Sequence, residues 1–126
     1  KVACIGGIYP VCDPSSYPGL RATALAYGMT EAELRGQLAL HNPVERLAPL
    51  ANAKVPVLHL HGDQDTVVPL AQNSGALIER YRLLGGPGQL LLIEGKGHAE
   101  VPEFFESERL LEFFLEHGRV TAARGR

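Results

Sequence analysis

Three short apolar runs, each closed by a turn, constrain the fold more than any other feature of this chain. They are KVACIGGI over residues 1–8, VPVLHLH over 55–61 and QLLLI over 89–93. None alternates cleanly between apolar and polar residues, as a strand with one solvated face does. Continuous apolar runs are typical of strands that are covered on both faces. The sequence therefore predicts a parallel sheet between layers of helices.

Helix signals fill the gaps between the predicted strands. Thr30 and Glu33 form a capping-box pattern, which predicts a helix that runs to about Leu40. Pro69 can occupy the first turn of a second helix that reaches about Leu84. Residues at spacings of three and four give this second helix one buried stripe. The stripe consists of Leu70, Ser74, Leu77, Ile78, Tyr81 and Leu84.

A last helix is predicted from about Pro102 to Gly118, with Phe104, Leu111 and Phe114 roughly on one side. Residues 119–126 are expected to form a frayed tail. The order of strand, connection, strand, helix, strand and helix is that of an α/β protein with right-handed crossovers. We therefore expect a single three-layer α/β/α unit over residues 1–118.

Length and charge narrow the classes of partner. A chain of 126 residues with 45% hydrophobic residues supports one modest core. Its 12 basic and 14 acidic residues include no basic run, which argues against nucleic acid or an anionic membrane as a partner. The apolar stretches are far too short to span a bilayer. The composition therefore favours a protein that acts on a small molecule.

A carboxylate and a histidine follow two successive strands. Ligands of α/β sheets bind beyond the carboxyl ends of the strands, so the loops over 9–19, 62–69 and 94–102 are expected at one rim. Asp65 lies in the second of these loops and His98 in the third. A carboxylate that accepts the imidazole Nδ1–H fixes the tautomer and stabilises the imidazolium. The positions of Asp65 and His98 predict an acid–base pair that touches at this rim.

The residues around this pair resemble the α/β-hydrolase superfamily, in its esterase and prolyl-oligopeptidase-like (dienelactone-hydrolase-like) branch. That family places its acid in an H-G-x-x-D-x-x-V-P loop and its histidine in a G-x-x-H-like turn after the last core strand. The matching residues are His61, Gly62, Asp65, Val68 and Pro69 in the acid loop, and Gly95 and His98 in the turn. The resemblance covers residues 1–118. It implies the last three strands of the family's sheet, with Asp65 and His98 as catalytic residues.

The nucleophile of that family is missing. The family carries it in a G-x-S-x-G elbow, which this sequence lacks. Ser74 and Ser107 lie in predicted helices, while Ser15 and Ser16 lie in a rim loop without a strained strand-to-helix turn. The resemblance places the missing serine a short distance before Lys1. We therefore expect a serine hydrolase for carboxylic esters or peptides as the complete protein, and an inactive chain when it is alone.

Other acidic and histidine residues have competing interpretations. Asp13 is the main rival to Asp65, because its loop leaves the first strand at the same rim. Asp63 follows its strand directly and is expected to bind backbone N–H groups of its own turn. His59 and His61 share strand spacing, which fits either metal ligands or, more commonly, buried neutral imidazoles. The spacing of Asp63 and Asp65 also suggests a metal site, but two carboxylates without a clear third ligand are weak evidence, so we predict neither a metal nor a cofactor.

The remaining segments indicate how open the site is and what the chain could bind. The family inserts a cap where residues 19–49 lie, and this segment is short, so an open site is expected. Tyr9 and Tyr17 flank the first rim loop and either line a pocket or cover the edge of the sheet. A bare outer edge on the strand over 1–8 predicts self-association or pairing with an N-terminal portion. A non-catalytic binding module and one chain of a two-chain hydrolase remain as alternatives.

Overall fold

The sheet has the predicted parallel arrangement. The computed structural model describes the backbone of residues 1–124 and the side chains of residues 1–118. Within that range the strands are β1 (Ile5–Ile8), β2 (Val57–Gly62) and β3 (Gly88–Ile93). They pair in parallel in the order β1-β2-β3, so β2 is the central strand. The α/β fold class is confirmed.

β1 and β2 begin later than their apolar runs. Ile5 is the first paired residue, and its N–H donates to the carbonyl of Pro56 at 2.9 Å. The chain before Pro56 is a turn, in which Lys54 has a φ of 53° and Val55 bonds to Leu50. Residues 1–4 therefore have no extended neighbour, so the strand predicted from residue 1 starts at Ile5.

The segment between β1 and β2 holds more helix than predicted. After a kinked segment over Ser15–Gly19, it contains a 3-10 turn and four α-helices. These elements are α1 (Leu20–Tyr27), α2 (Glu31–Gly36), α3 (Leu38–His41), the 3-10 turn Pro43–Glu45 and α4 (Ala48–Asn52).

The capping box that opens α2 is present. The Thr30 hydroxyl accepts from the Glu33 N–H at 3.1 Å, and the Glu33 carboxylate accepts from the Thr30 N–H at 2.7 Å. The helix predicted to reach Leu40 breaks at Gln37, whose N–H bonds three residues back to Leu34. The single predicted helix is therefore two short ones.

The helix after β2 begins with a wider turn. Ala71–Gly75 forms a π-helical turn, in which the Gly75 N–H donates to the Leu70 carbonyl at 2.9 Å, and α5 (Ala76–Leu83) follows. The buried part of the predicted stripe consists of Ser74, Leu77, Ile78 and Tyr81. Leu84 is half exposed, because α5 has already ended.

The last predicted helix is divided and extends beyond its predicted end. It consists of α6 (Pro102–Phe105) and α7 (Glu108–Arg124). Ser107 stands at the break, where its hydroxyl accepts from the N–H of Leu110 at 3.2 Å and caps α7. The break rotates the second part of the helix, so Phe113 is buried while Leu111 and Phe114 are exposed.

The predicted stop at Gly118 was wrong. The described backbone continues as helix to Arg124, so residues 119–124 are helical where a frayed tail was expected. A glycine within a helix costs only about 1 kcal/mol relative to alanine, which does not end a helix whose later residues favour it. The last part of that predicted tail, residues 125 and 126, lies outside the described residues.

The two faces of β2 pack against different helices. Leu58 and Leu60 form one cluster with Phe104 of α6 and Phe113 of α7. Val57 belongs to a second cluster, with Tyr81 of α5 on the opposite face. This alternation produces the expected three layers. Within residues 1–124, no helix is long and apolar enough to cross a membrane.

Candidate active site

Asp65 and His98 meet beyond the carboxyl ends of adjacent strands. Asp65 follows β2 by three residues, and His98 follows β3 by five. Nδ1 of His98 lies 2.9 Å from Oδ2 of Asp65. The predicted contact between the two side chains is therefore present.

Local backbone donors stabilise the Asp65 carboxylate. The side chain is buried, and its Oδ1 accepts from the N–H groups of Val67 at 2.9 Å and Val68 at 2.8 Å. Burial opposes ionisation, but the bonds from Val68, His98 and Val67 outweigh it and lower the pKa of Asp65. Asp65 is therefore an anion at neutral pH.

This anion fixes the tautomer of His98. An ionised carboxylate only accepts hydrogen bonds, so Nδ1 of His98 carries the proton and donates it to Oδ2. Nε2 of the neutral ring then holds the lone pair. The His98 side chain is 29% exposed, whereas Asp65 is fully covered. This arrangement can take a proton at Nε2 and stabilise the resulting cation.

The two loops that carry the pair touch through their main chains. A Cβ at Gly62 would lie 2.1 Å from the carbonyl oxygen of Lys96, so only glycine fits there. The same Lys96 carbonyl accepts from the Gln64 N–H at 3.0 Å. Asp63 accepts from the N–H of Gly95 at 2.9 Å. Asp63 therefore links its own loop to the loop after β3. The expectation that it binds N–H groups of its own turn was wrong.

His59 and His61 form a buried polar network with Ser74. Nδ1 of His59 lies 3.1 Å from Oγ of Ser74, and Nδ1 of His61 lies 2.8 Å from the same oxygen. Nε2 of His61 lies 2.9 Å from the Val68 carbonyl, which can only accept, so this nitrogen carries the proton. Ser74 then donates to His61 and accepts from His59.

Both imidazoles in this network are neutral. Burial lowers the pKa of His59 to about 4, and repulsion from His61 adds to the effect. Burial also lowers the pKa of His61, against the opposing influence of the Val68 carbonyl and Asp65. The interpretation as buried neutral histidines thus accounts for both. No group of three or more metal-ligating side chains occurs among the described residues.

A second arrangement looks like a catalytic triad but is closed to substrate. Nε2 of His61 lies 3.5 Å from Oδ2 of Asp65, so Ser74, His61 and Asp65 follow one another as serine, histidine and acid. Ser74 and His61 are fully buried. A hydroxyl that no substrate can reach is a structural group.

The four serine hydroxyls of the chain have partners other than His98. Ser15 donates to the Asp13 carboxylate, and Ser16 donates to the Asp13 carbonyl at 2.7 Å. Ser74 bonds to the buried histidines, and Ser107 caps α7. Asp13 also accepts from Asn42 at 3.2 Å. The side chain of Asp13 thus serves its own loop, while Asp65 is the residue that binds His98.

Asn73 was not identified from the sequence, although it joins two of the rim loops. Its Oδ1 accepts from the N–H groups of Cys12 at 2.8 Å and Asp13 at 3.0 Å. Its Nδ2 donates to the carbonyl of Pro69 at 2.8 Å and to Oγ of Ser16 at 2.9 Å. The available signal was an Asn-Ser pair at the start of an otherwise apolar helix stripe, which indicates buried polar contacts.

Tyr9 connects the pair to a groove. Its ring centroid lies 3.9 Å from that of His98 and 6.1 Å from that of Phe105. A groove of about 480 Å³ lies along the segment that follows His98. Its lining residues are Glu100, Val101, Pro102, Phe105 and Glu106. Of the two tyrosines that flank the first rim loop, Tyr9 thus contacts the candidate site.

Solved structures with a similar fold are known. TT1662 from Thermus thermophilus is 27% identical with a TM-score of 0.59, over 91% of this chain and 44% of that protein. Puromycin hydrolase is 23% identical with a TM-score of 0.53, over 77% of this chain and 15% of that protein. Esterase PE8 is 31% identical with a TM-score of 0.44, over 51% of this chain and 28% of that protein. The chain thus spans less than half of each protein. No protein-family model and no curated protein sequence matches it.

The parallel sheet, its helical layers and the likeness to TT1662 and puromycin hydrolase define an α/β protein with a hydrolase-type fold. The chain has the fold of the α/β-hydrolase superfamily, with three parallel strands between helices. The family resemblance noted around Asp65 and His98 is confirmed at the level of the fold.

Proposed function

We propose that Asp65 and His98 are the acid and base of a serine hydrolase that cleaves carboxylic esters or peptides. The observation that carries this proposal is the 2.9 Å bond between the buried anion and an imidazole that is 29% exposed. Nε2 of His98 takes the proton of a serine hydroxyl as its oxygen attacks the carbonyl carbon. The imidazolium, stabilised by Asp65, then gives this proton to the leaving group.

The nucleophile in this proposal comes from polypeptide outside the 126 residues. The four serines of the chain bond elsewhere, and Ser74 is closed to substrate. Acyl transfer also needs donors for the oxyanion, and losing one such donor costs about 2.7–4 kcal/mol. We therefore propose that the chain alone does not hydrolyse esters, whether the nucleophile belongs to the same polypeptide or to a second one.

The outer edge of β1 is the place for that additional polypeptide. Within the described chain, β1 pairs with β2 on one side only, which leaves backbone donors and acceptors of Ile5–Ile8 on the other. Such an edge pairs readily with a further strand. We propose that it binds the portion that carries the nucleophile, or a second copy of this chain when that portion is absent.

The first test measures the chain alone. Hydrolysis of p-nitrophenyl acetate by the 126-residue chain is compared with its His98→Ala variant, and equal rates are expected. Saturable turnover that His98→Ala abolishes would show that a nucleophile lies within the chain. Sedimentation at micromolar concentration accompanies the assay, and self-association is expected.

The second test supplies the nucleophile. The chain is co-expressed with the polypeptide encoded directly upstream of Lys1, in which a G-x-S-x-G motif is expected. Ester hydrolysis that requires both that serine and His98 supports the proposal. An assembled protein with the motif but without activity on ester or peptide substrates contradicts it.

A non-catalytic binding module is the second candidate, and the serine hydroxyls that bond elsewhere favour it. This candidate requires the chain to be stable without a partner. A monomer that unfolds cooperatively, and whose upstream coding sequence lacks a serine elbow, would support the binding module over the hydrolase.

A further inference from the structure

Tyr9 has an unfavourable backbone conformation at the end of β1. Its φ is 35°, in the left-handed region that side chains other than glycine rarely adopt. Its N–H still donates to the Leu60 carbonyl at 2.7 Å, so the turn begins while the chain is held to β2. The other described non-glycine residue with a positive φ is Lys54, in the turn before β2. Strain of this kind persists where the surrounding structure uses it.

The strained backbone places the ring of Tyr9 against the imidazole of His98. The two centroids are 3.9 Å apart, with the ring planes at 45°. On another side, the Tyr9 ring meets Phe104 nearly edge-on, with centroids 5.0 Å apart. Phe104 is fully buried among the residues of β2 and α7. Tyr9 thus connects the imidazole to the rigid core.

One hydrogen bond does not orient a ring completely. The bond from Nδ1 to Asp65 fixes one atom of the imidazole, but the ring can still turn about that contact. A flat aromatic surface against the imidazole removes this freedom. We propose that Tyr9 is a positioning residue, whose ring fixes the plane of His98 and so the direction in which Nε2 points. This inference rests on the proposed function, in which Nε2 of His98 is the base.

The inference is tested on the 126-residue chain with Tyr9→Phe, Tyr9→Leu and Tyr9→Ala. ¹³C relaxation at Cε1 and Cδ2 of His98 measures how far the imidazole ring moves. The wild type and Tyr9→Phe are expected to show a rigid ring. Tyr9→Leu keeps an apolar side chain against Phe104 but lacks the aromatic face, and like Tyr9→Ala it should show a mobile ring, while the bond to Asp65 keeps the proton on Nδ1 in each variant.

Chemical modification supplies a second measurement. The rate of His98 carbethoxylation by diethyl pyrocarbonate should rise several-fold in Tyr9→Leu and return to the wild-type rate in Tyr9→Phe. Lys54→Gly is the matched control, because it relieves the other positive φ without touching His98, and it should leave both measurements unchanged. A folded Tyr9→Leu chain with the wild-type ring mobility and modification rate would overturn the inference.

Failure of this inference and failure of the proposed function give different results. A mobile His98 ring in Tyr9→Leu, with no ester hydrolysis by the assembled protein, supports the positioning role and contradicts the hydrolase. Full hydrolysis by an assembled Tyr9→Leu protein whose His98 ring stays rigid contradicts the positioning role alone.

Discussion

The chain contains two histidine sites beside one carboxylate, which differ in how deeply the imidazole is buried and in the hydrogen bonds that it makes. In the buried site, His59 donates to Ser74, Ser74 donates to His61, and His61 donates to the Val68 carbonyl. At the rim, Asp65 occupies only Nδ1 of His98, and the imidazole reaches solvent. His61, whose two ring nitrogens both bond inside the core, supports the fold, whereas Nε2 of His98 at the strand end can exchange protons.

The two oxygens of the Asp65 carboxylate have different partners. Its Oδ1 serves the backbone of Val67 and Val68, and its Oδ2 lies 2.9 Å from His98 but 3.5 Å from His61. The nearer imidazole, His98, donates the charge-assisted bond to Oδ2. Of the two histidines close to this anion, His61 is buried against a carbonyl and neutral, whereas His98 is partly exposed to solvent.

The largest effect is expected from Asp65→Asn in the assembled hydrolase. The amide no longer stabilises an imidazolium and can impose the wrong tautomer on His98, so kcat/KM should fall about 10⁴-fold. Steady-state ester hydrolysis measures this loss. Asp63→Asn is the matched control, because Asp63 binds Gly95 and not His98. Equal losses in the two variants would remove the distinction between these carboxylates.

Acid should destabilise the buried site before the rim site. The pKa of His59 falls from 6.5 to about 4 on folding, so the unfolded chain takes up the proton first. The free energy of unfolding should therefore decrease by about 3 kcal/mol as the pH falls from about 6.5 to about 4. Urea denaturation over this pH range measures the slope, and His59→Leu should flatten it.

The contribution of Asp65 falls in a lower pH window. Its pKa is below the ordinary 3.8, so the stability that it provides is complete above that pH and is lost further down. A wild-type chain whose stability stays constant down to pH 4 would contradict the neutral assignment of the buried histidines.

Ser74→Ala should cost about 2 kcal/mol, because it leaves ring nitrogens of His59 and His61 without partners in the core. Chemical denaturation at pH 7 measures the change in the free energy of unfolding. Ser15→Ala, which removes a partly exposed hydroxyl that donates to Asp13, is expected to cost less, about 1 kcal/mol. Similar values for the two serines would mean that the buried network does not stabilise the fold.

The smallest effect is expected at a site that belongs to neither region. Thr30→Ala removes the capping hydroxyl of α2 and should cost about 1 kcal/mol. Thermal unfolding measures this loss, and the His98 ring spectrum should not change. A changed spectrum would show that α2 and the rim that carries His98 are coupled.

The sequence was sufficient for the sheet, and for a carboxylate and His98 at one rim, because both follow from local pattern and one topological rule. The choice of Asp65 over Asp63 rested partly on the acid-loop motif of the resembling family. Apolar runs locate the strands, and parallel strands bring their carboxyl ends to one edge. Helix limits were harder to predict. The break at Ser107 and the passage through Gly118 depend on which face packs against the sheet, and capping residues alone do not determine that.

The buried network was beyond sequence reasoning for a related reason. His59 and His61 were expected to be neutral and buried, but their partner comes from a wide helical turn that packs across β2. Asp63 was assigned to its own turn, since nothing local reveals that Gly95 lies close by. Such contacts between side chains of different segments depend on tertiary packing, which the periodicity of one segment does not encode.

The close approach of Gly62 to the Lys96 carbonyl has a consequence for how this protein can change over evolution. The spacing between acid and imidazole depends on two peptide backbones in direct contact, so the outward-facing side chains at 64 and 96 can vary without altering it. Substitutions at these two positions can therefore change the surface charge around the site, and with it the ligands that bind there, while the distance between Asp65 and His98 stays the same.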